Sequence, residues 1–188
     1  MNATTASVPP VLLPLVDYLG RLKARASLHE LNTRLRSSRV TLADVHDFAQ
    51  FDLRHYRRNL VAQGTWFSLL VLCWRSGQRS PIHDHAGSTC AFKVLTGVCS
   101  ETIYAFAPCG QVVPQKTRDC LAGTIVSTQD ADTHQVSNLQ PAGCDLVTLH
   151  IYSPPLNSMH RFSILGAAGN DGYALDGIDP DIADGGAI

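Results

Sequence analysis

The chain of 188 residues is 45% hydrophobic and 16% charged, with a formal net charge of −1. A chain of this length can bury one sizeable core, so a single domain over residues 1–188 is predicted. The balanced charge, without a block of basic residues, argues against a nucleic-acid partner, and no apolar run is long enough to cross a membrane.

The first part of the chain, about residues 11–60, is predicted to form a small helical cap of two or three helices. Leucines recur at helical spacing between Leu19 and Leu31 among Arg, Lys and Glu residues, which is typical of an amphipathic helix. Thr41, followed three residues later by Asp44, suits a helix start. The opening segment has neither a basic start nor a small-residue cleavage site, so a cytoplasmic location is expected.

The next part, from Trp66 to about residue 162, is predicted to form a β-barrel. Short runs rich in Val, Ile, Leu, Thr and aromatic residues are separated by Gly, Pro and polar clusters. The runs are WFSLLVLCW, CAFKVLTG, CSETIYAFA, GTIVST, HQVSN and DLVTLHIYS. Strands at this spacing, without intervening helices, indicate a mainly β fold of the antiparallel barrel or jelly-roll type.

The last segment and the cysteines give weaker signals. Residues 166–188 are rich in Gly and Asp and lack Lys and Arg, so a loosely held tail is predicted, with the alternative that part of it covers the barrel.

No two cysteines form a C-x-x-C pair, and free thiols are expected in a chain that can stabilise itself by burial. The six are Cys73, Cys90, Cys99, Cys109, Cys120 and Cys144.

The stretch HDHAGSTC at residues 83–90 concentrates groups that bind metals. Successive side chains of a strand point to opposite faces, so His83 and His85 are predicted to share a face while Asp84 points away. Two imidazoles on one barrel wall can bind one metal ion. Alternatively, the two histidines are satisfied by ordinary hydrogen bonds, since histidine has many roles.

The spacing around these histidines resembles the two sequence motifs of the cupin superfamily. The first motif is matched by Gly77, His83, His85 and Gly97, and the second by Gly123, His134 and Asn138. This resemblance implies a cupin-type jelly-roll barrel with a metal at its centre and His134 as third ligand. The chain departs from the common motifs in having Cys90 in place of a glutamate ligand, and Gln129 and Ala131 in place of Pro and Gly.

Three segments in the same order narrow the resemblance to cysteine dioxygenase. They are YRRNLVAQG, SPIHDHAGSTCAFKVLTG and LHIYSPPLNSMH, which lie within residues 50–162. The family likeness implies a cytoplasmic enzyme of cysteine catabolism. It would oxidise L-cysteine with O2 to cysteine sulfinic acid at a non-haem iron(II) held by His83, His85 and His134.

The resemblance also implies roles for residues around the iron. Arg58 matches the arginine that holds the substrate carboxylate, a task suited to its planar guanidinium; Arg57 is the alternative if the register is one residue off. Tyr152 and His150 match a catalytic and substrate-binding pair. Thr148 stands where the family has serine and would end a hydrogen-bonded relay through His150 to Tyr152.

Two covalent features follow from the same resemblance. Cys90 matches the cysteine that forms a thioether with the tyrosine matched by Tyr152, so a Cys90–Tyr152 cross-link is expected. Ser153–Pro154 matches a cis peptide bond beside the active site. The remaining histidines are expected to be ordinary; they are His29, His46, His55 and His160.

Other functions stay open on the sequence. A relative acting on 3-mercaptopropionate would carry glutamine in place of Arg58, and cysteamine is a further thiol substrate to consider. A non-catalytic cupin that senses a thiol would keep the three histidines. A zinc-dependent isomerase or hydrolase needs a carboxylate near the metal, and the two motifs contain none suited to that role. The expected partners are a small thiol and O2, and the expected state is a monomer.

Overall fold

The computed structural model describes residues 7–130 and 133–164, together with the backbone of residues 171–174. Two helices come first, α1 (Leu13–Gly20) and α2 (Leu28–Ser37), with 3₁₀ turns at Pro10–Leu12 and Ala43–Phe48. The strands are β1 (Arg57–Gly64), β2 (Phe67–Trp74), β3 (Ile82–His83), β4 (Thr89–Thr96), β5 (Val98–Phe106), β6 (Val112–Leu121), β7 (Ile125–Thr128), β8 (His134–Ser137), β9 (Leu146–Ser153), β10 (Ser158–Phe162) and β11 (Asp171–Ala174). Each of the six apolar runs contains a strand.

The strands form two antiparallel sheets. One has the order β1-β2-β9-β4-β7, and the other has the order β11-β10-β3-β8-β5-β6. This arrangement confirms the mainly β jelly-roll barrel with an N-terminal helical cap. Sequence neighbours such as β2 and β3 lie in different sheets, which is why residues distant in sequence meet inside the barrel.

Strands β2 and β9 are buried on both faces, which explains their unbroken apolar sequences. Leu69 and Val71 of β2 and Leu149 of β9 pack in one cluster with α1 and α2. The alternate residues, such as Leu70 and Leu72, belong to a second cluster inside the barrel. A strand covered on both faces reads as a continuous hydrophobic run rather than an alternating one.

The helical cap closes one side of the five-stranded sheet. Leu31 and Leu35 of α2 are fully buried. Ser27 caps the N-terminus of α2, because its hydroxyl accepts a hydrogen bond from the Glu30 N–H at 3.2 Å. At the predicted helix start, the Asp44 carboxylate accepts hydrogen bonds from the Thr41 N–H at 2.8 Å and from its hydroxyl at 2.6 Å. The N-cap position is taken by Leu42, however, and its side chain makes no capping hydrogen bond. The element that follows is a 3₁₀ turn.

The barrel begins earlier than Trp66. Strand β1 starts at Arg57, within the segment of about residues 11–60 predicted to be helical. This strand lies at the edge of its sheet and is only partly buried, so its sequence lacks the apolar run that marked the others. The mostly exposed edge strand β6 contains Pro114 and escaped notice for the same reason.

A short segment near the C-terminus adds an edge strand to the six-stranded sheet. The backbone of Asp171–Ala174 pairs antiparallel with β10, so this part of the predicted tail belongs to a sheet. The rest of the prediction for residues 166–188 lies outside the described residues. Among the helices of the described ranges, none combines the length and apolar character that crossing a bilayer requires.

Candidate metal centre

Three buried imidazoles converge inside the barrel. His83 ends β3 and pairs directly with His134, the first residue of β8. His85 comes from the bend that follows β3, so the strand argument covers only His83, although the two rings do face the same side. Ring centroids are 4.8 Å apart for His83 and His134, 5.2 Å for His83 and His85, and 5.0 Å for His85 and His134.

The hydrogen bonds of these rings determine which nitrogen is free. The Nδ1–H of His83 donates to the Pro81 carbonyl oxygen at 2.9 Å, and the Nδ1–H of His134 donates to the Glu101 carboxylate at 2.9 Å. Because carbonyl and carboxylate oxygens only accept, Nδ1 is the donor nitrogen of both rings, and in the neutral form of each ring the lone pair lies on Nε2. Burial, followed by the proximity of His134 and His85, lowers the pKa of His83 well below its ordinary value, so this ring is neutral at pH 7.

This donor set suits a metal ion. One ligand atom from each of the three histidines lies within 4.8 Å of the others. Neutral imidazole nitrogens bind iron, zinc, copper and nickel, and three of them leave coordination positions open for small molecules. The three-histidine group could therefore hold a metal, although imidazoles alone do not select which one.

A buried carboxylate outside both motifs supports one of these rings. Glu101 of β5 is 2% exposed, and besides His134 it binds Arg118, whose Nε and Nη2 lie 2.7 and 2.6 Å from its Oε2. Burial acts to raise the pKa of Glu101, but the hydrogen bonds and charges of His134 and Arg118 outweigh it and lower the pKa. Both oxygens are engaged, so this carboxylate is not poised as the acid or base of a zinc hydrolase.

Glu101 was missed because it belongs to no motif. The only signal was that Glu101 is the one charged residue of the run CSETIYAFA, two positions from Cys99 and so on the same face of the strand.

A relay of polar side chains runs along one face of β9. The Trp74 indole N–H donates to the Thr148 hydroxyl oxygen at 3.1 Å, Thr148 Oγ1 lies 2.9 Å from His150 Nε2, and His150 Nδ1 lies 3.2 Å from the Tyr152 hydroxyl. Burial, then the charge of Arg58, lowers the pKa of His150 well below its ordinary value. In the His150 tautomer that carries its proton on Nδ1, Thr148 donates to Nε2 and the Nδ1–H donates to the phenol oxygen of Tyr152.

The guanidinium of Arg58 reaches the same cavity. It lies 5.5 Å from the centroid of the Tyr152 ring, and Arg58 pairs across β1 and β2 with Leu72, which also lines the cavity. Arg57 is exposed and pairs with Cys73, which faces the helical cap. The register therefore separates the two arginines. The remaining lining residues are Tyr56, Trp74, Ser80, His83, His85, His134, Val136, His150, Tyr152 and Met159.

Cys90 and Tyr152 face each other across two paired strands. They are directly opposite in the β4–β9 ladder, and they are 1% and 4% exposed. Burial, followed by the neighbouring Cys90 thiol, raises the pKa of Tyr152 well above its ordinary value. The phenol is therefore protonated at neutral pH and able to donate a hydrogen bond.

Asp84 points away from the three imidazoles, in line with the strand argument. Its Oδ2 lies 2.6 Å from His160 Nδ1, and its Oδ1 accepts from the backbone N–H groups of Ala86 and His160. Asp84 thus ties the segment between His83 and His85 to β10. The Ser153–Pro154 peptide bond next to the cavity is cis.

The cysteines are expected to react in two groups. None of the six forms a disulfide, and only Cys109 and Cys144 are exposed. Burial raises the pKa of Cys73 to about 12. The reactive thiolate is therefore scarce below that pH, and a chromogenic disulfide reagent at pH 8 should modify two thiols quickly in the native protein. A Cys109→Ser, Cys144→Ser double variant should show no fast phase; a fast phase in that variant would contradict the buried placement of the other four.

Comparison with known proteins agrees with this fold and geometry. The family model described as cysteine dioxygenase type I matches residues 1–164. Cysteine dioxygenase type 1 of Bos taurus is 32% identical over 171 residues, which cover 86% of this chain and 84% of the relative. The protein of the same name from Danio rerio is 32% identical over 174 residues, with the same coverage of both chains.

A solved structure adds support for the fold alone. A Klebsiella pneumoniae protein with a double-stranded β-helix domain covers 68% of this chain and 99% of its own, with a TM-score of 0.51 and 16% identity. Together with the three-histidine group inside a cupin barrel, the family match over most of the chain leads to one conclusion. The chain belongs to the cysteine dioxygenase type I family and is an oxygenase.

Proposed function

We propose that the protein is an iron(II) thiol dioxygenase that converts L-cysteine and O2 to cysteine sulfinic acid. The carrying observation is one cavity lined by the three-histidine group, the relay histidine His150, a guanidinium and a phenol. Both oxygen atoms enter the product, so RSH and O2 give RSO2H without another reductant. The sulfinic acid level lies two steps up the thiol oxidation ladder.

His83, His85 and His134 are the proposed iron ligands. Their buried imidazole nitrogens suit a divalent ion of the first transition series. The iron supplies open coordination positions and a change of oxidation state when it is bound. The protein's own task is then to bring the thiol to that centre, orient it and keep bulk water away.

Arg58 is the proposed anchor for the substrate carboxylate. A guanidinium offers two parallel N–H donors to the two oxygens of a carboxylate. The Arg58 guanidinium reaches the cavity from β1 of the five-stranded sheet, whereas His83 and His134 belong to the six-stranded sheet. The fixed charge would hold the amino acid in one orientation and present its sulfur toward the imidazoles. This placement favours cysteine over cysteamine, which lacks the carboxylate.

The relay along β9 would hold the Tyr152 phenol as a directional donor. With the His150 proton on Nδ1, His150 would donate to the phenol oxygen, and the Tyr152 O–H would then turn from its neighbour Cys90 toward a substrate in the cavity. The high pKa of Tyr152 keeps that proton in place. We infer that the phenol shares the substrate carboxylate with Arg58, while Thr148 and His150 position it.

The ratio of O2 consumed to sulfinate formed tests the proposal. Purified protein loaded with iron(II) should consume O2 in the presence of L-cysteine and form sulfinate in equal amounts. The metal-free protein is the matched control. Oxygen uptake that yields only cystine would contradict the proposal, and faster turnover of cysteamine or 3-mercaptopropionate than of cysteine would assign the site to another thiol.

The Cys90–Tyr152 thioether is expected to form during turnover. The Cys90 sulfur would replace a ring hydrogen of Tyr152, and O2 would accept the two electrons and two protons released. After incubation with iron(II), cysteine and air, the denatured protein should lose two hydrogens in mass, and its thiol count should fall from the six of the sequence to five. Cys90→Gly should show neither change, whereas an unchanged wild-type mass would count against the cross-link.

A further inference from the structure

The three-strand arrangement around Glu101 links one proposed metal ligand to a distant arginine. Glu101 of β5 is directly opposite Arg118 of β6. On its other side β5 pairs with β8, where Ile103 is opposite His134 and Glu101 is opposite Val136. The Glu101 side chain therefore reaches His134 diagonally and Arg118 directly, within bonded ladders that leave it little freedom to move.

The hydrogen-bond acceptors behind His83 and His134 differ in chemistry. His83 donates to a neutral backbone carbonyl, whereas His134 donates to a carboxylate. A carboxylate behind a ligating imidazole fixes the ring orientation and its tautomer and makes the ligand nitrogen more basic. Arg118 donates a hydrogen bond through Nε to the other oxygen of Glu101 at 2.7 Å and forms an ion pair with it through Nη2 at 2.6 Å. Its charge balances that of Glu101, which is 2% exposed.

We propose that Glu101 is a positioning residue for the metal centre, held by Arg118 so that His134 presents the lone pair of Nε2 to the metal. This inference rests on the proposed function, because it requires His134 to be a ligand. The proposal also specifies the orientation of the residue 101 side chain. Because Arg118 can only donate hydrogen bonds, it requires an acceptor atom of residue 101, and the other terminal atom of that side chain then faces His134.

The Glu101→Gln substitution tests whether Arg118 fixes this orientation. The amide oxygen should turn to the Arg118 donors, which leaves the amide NH2 facing Nδ1 of His134. That nitrogen must then accept, so the imidazole proton moves to Nε2 and blocks the ligand atom. We expect the dissociation constant for cobalt(II), the probe ion, to rise roughly 10–100-fold.

Removing the arginine should reverse the effect. In the Glu101→Gln, Arg118→Met double variant the amide is free to turn its oxygen to His134, so cobalt(II) affinity should recover toward the wild-type value. A merely structural role predicts the opposite, since the double variant loses more contacts than the single one. The matched control is Asp145→Asn, which removes the ion pair between Arg75, just after β2, and Asp145, just before β9, at 2.6 Å and should leave cobalt(II) affinity unchanged.

Nitrogen-15 NMR of the metal-free protein measures the tautomer of the His134 ring directly. The His134 ring should show protonation at Nδ1 and not at Nε2, and Glu101→Gln should exchange the two. Wild-type affinity in Glu101→Gln, a double variant no better than the single one, or an Nε2–H form in the wild type would overturn the inference. If instead wild-type protein bound cobalt(II) no better than His83→Ala, the proposed metal centre itself would fail.

Discussion

Replacing His83 with alanine is expected to reduce the iron content of the purified protein to background and its cysteine-dependent O2 consumption by roughly 10³-fold or more, because the metal supplies the chemistry of the reaction. Two imidazoles would remain, and they come from a bend and from the start of a strand. They would hold the ion weakly. Metal analysis after dialysis and an oxygen electrode measure the two quantities.

The control for this substitution is His29→Ala. His29 is exposed on α2, so its loss should change neither iron content nor activity. Thermal unfolding of the metal-free proteins should show that His83→Ala still folds, at a cost of about 1–3 kcal/mol for the lost buried hydrogen bond to Pro81. An active, iron-loaded His83→Ala protein would exclude His83 as a ligand.

Arg58→Ala should lower kcat/KM for L-cysteine by roughly a hundredfold or more, which is about 3 kcal/mol of lost transition-state stabilisation. The truncated side chain can no longer form charge-assisted hydrogen bonds to a carboxylate. Iron content should stay at the wild-type level, because Arg58 is not among the three histidines of the metal group. Steady-state O2 uptake at varied cysteine concentration, together with metal analysis, separates the two effects.

Arg57→Ala is the matched control, since it removes the same charge one residue away on the exposed face of β1. Its kinetics should resemble those of the wild type. A second comparison uses cysteamine, whose slow turnover should be little affected by Arg58→Ala, because there is no carboxylate to lose. Equal loss of iron and activity in Arg58→Ala would show that the residue supports the metal rather than the substrate.

Much of the barrel could be predicted because strands buried on both faces leave long apolar runs. The runs around Leu70 and Leu149 are of this kind, and both became central strands. Strand β1 could not be recognised because an edge strand with one partly exposed face has no such run. The helical signal before Arg57 was therefore extended too far.

The candidate site was predictable to different degrees. Alternation along a strand predicted that the His83 and His85 rings share a side; they do, but His85 lies outside β3, so the segment after the strand places its ring. His134 lies far along the chain, and only the family resemblance connected it with them. Arg58 could be distinguished from Arg57 only through the register of β1 against β2.

The sequence by itself determined the fold class, the family and the pair of histidines, because these depend on local patterns of apolar residues and on short motifs. Only the tertiary structure decided that Glu101 supports His134, that Arg118 holds Glu101, and that Cys90 is opposite Tyr152. Those contacts cross between strands, and the register of a strand pair depends on turns, edges and core packing along both strands. No short stretch of sequence contains that information.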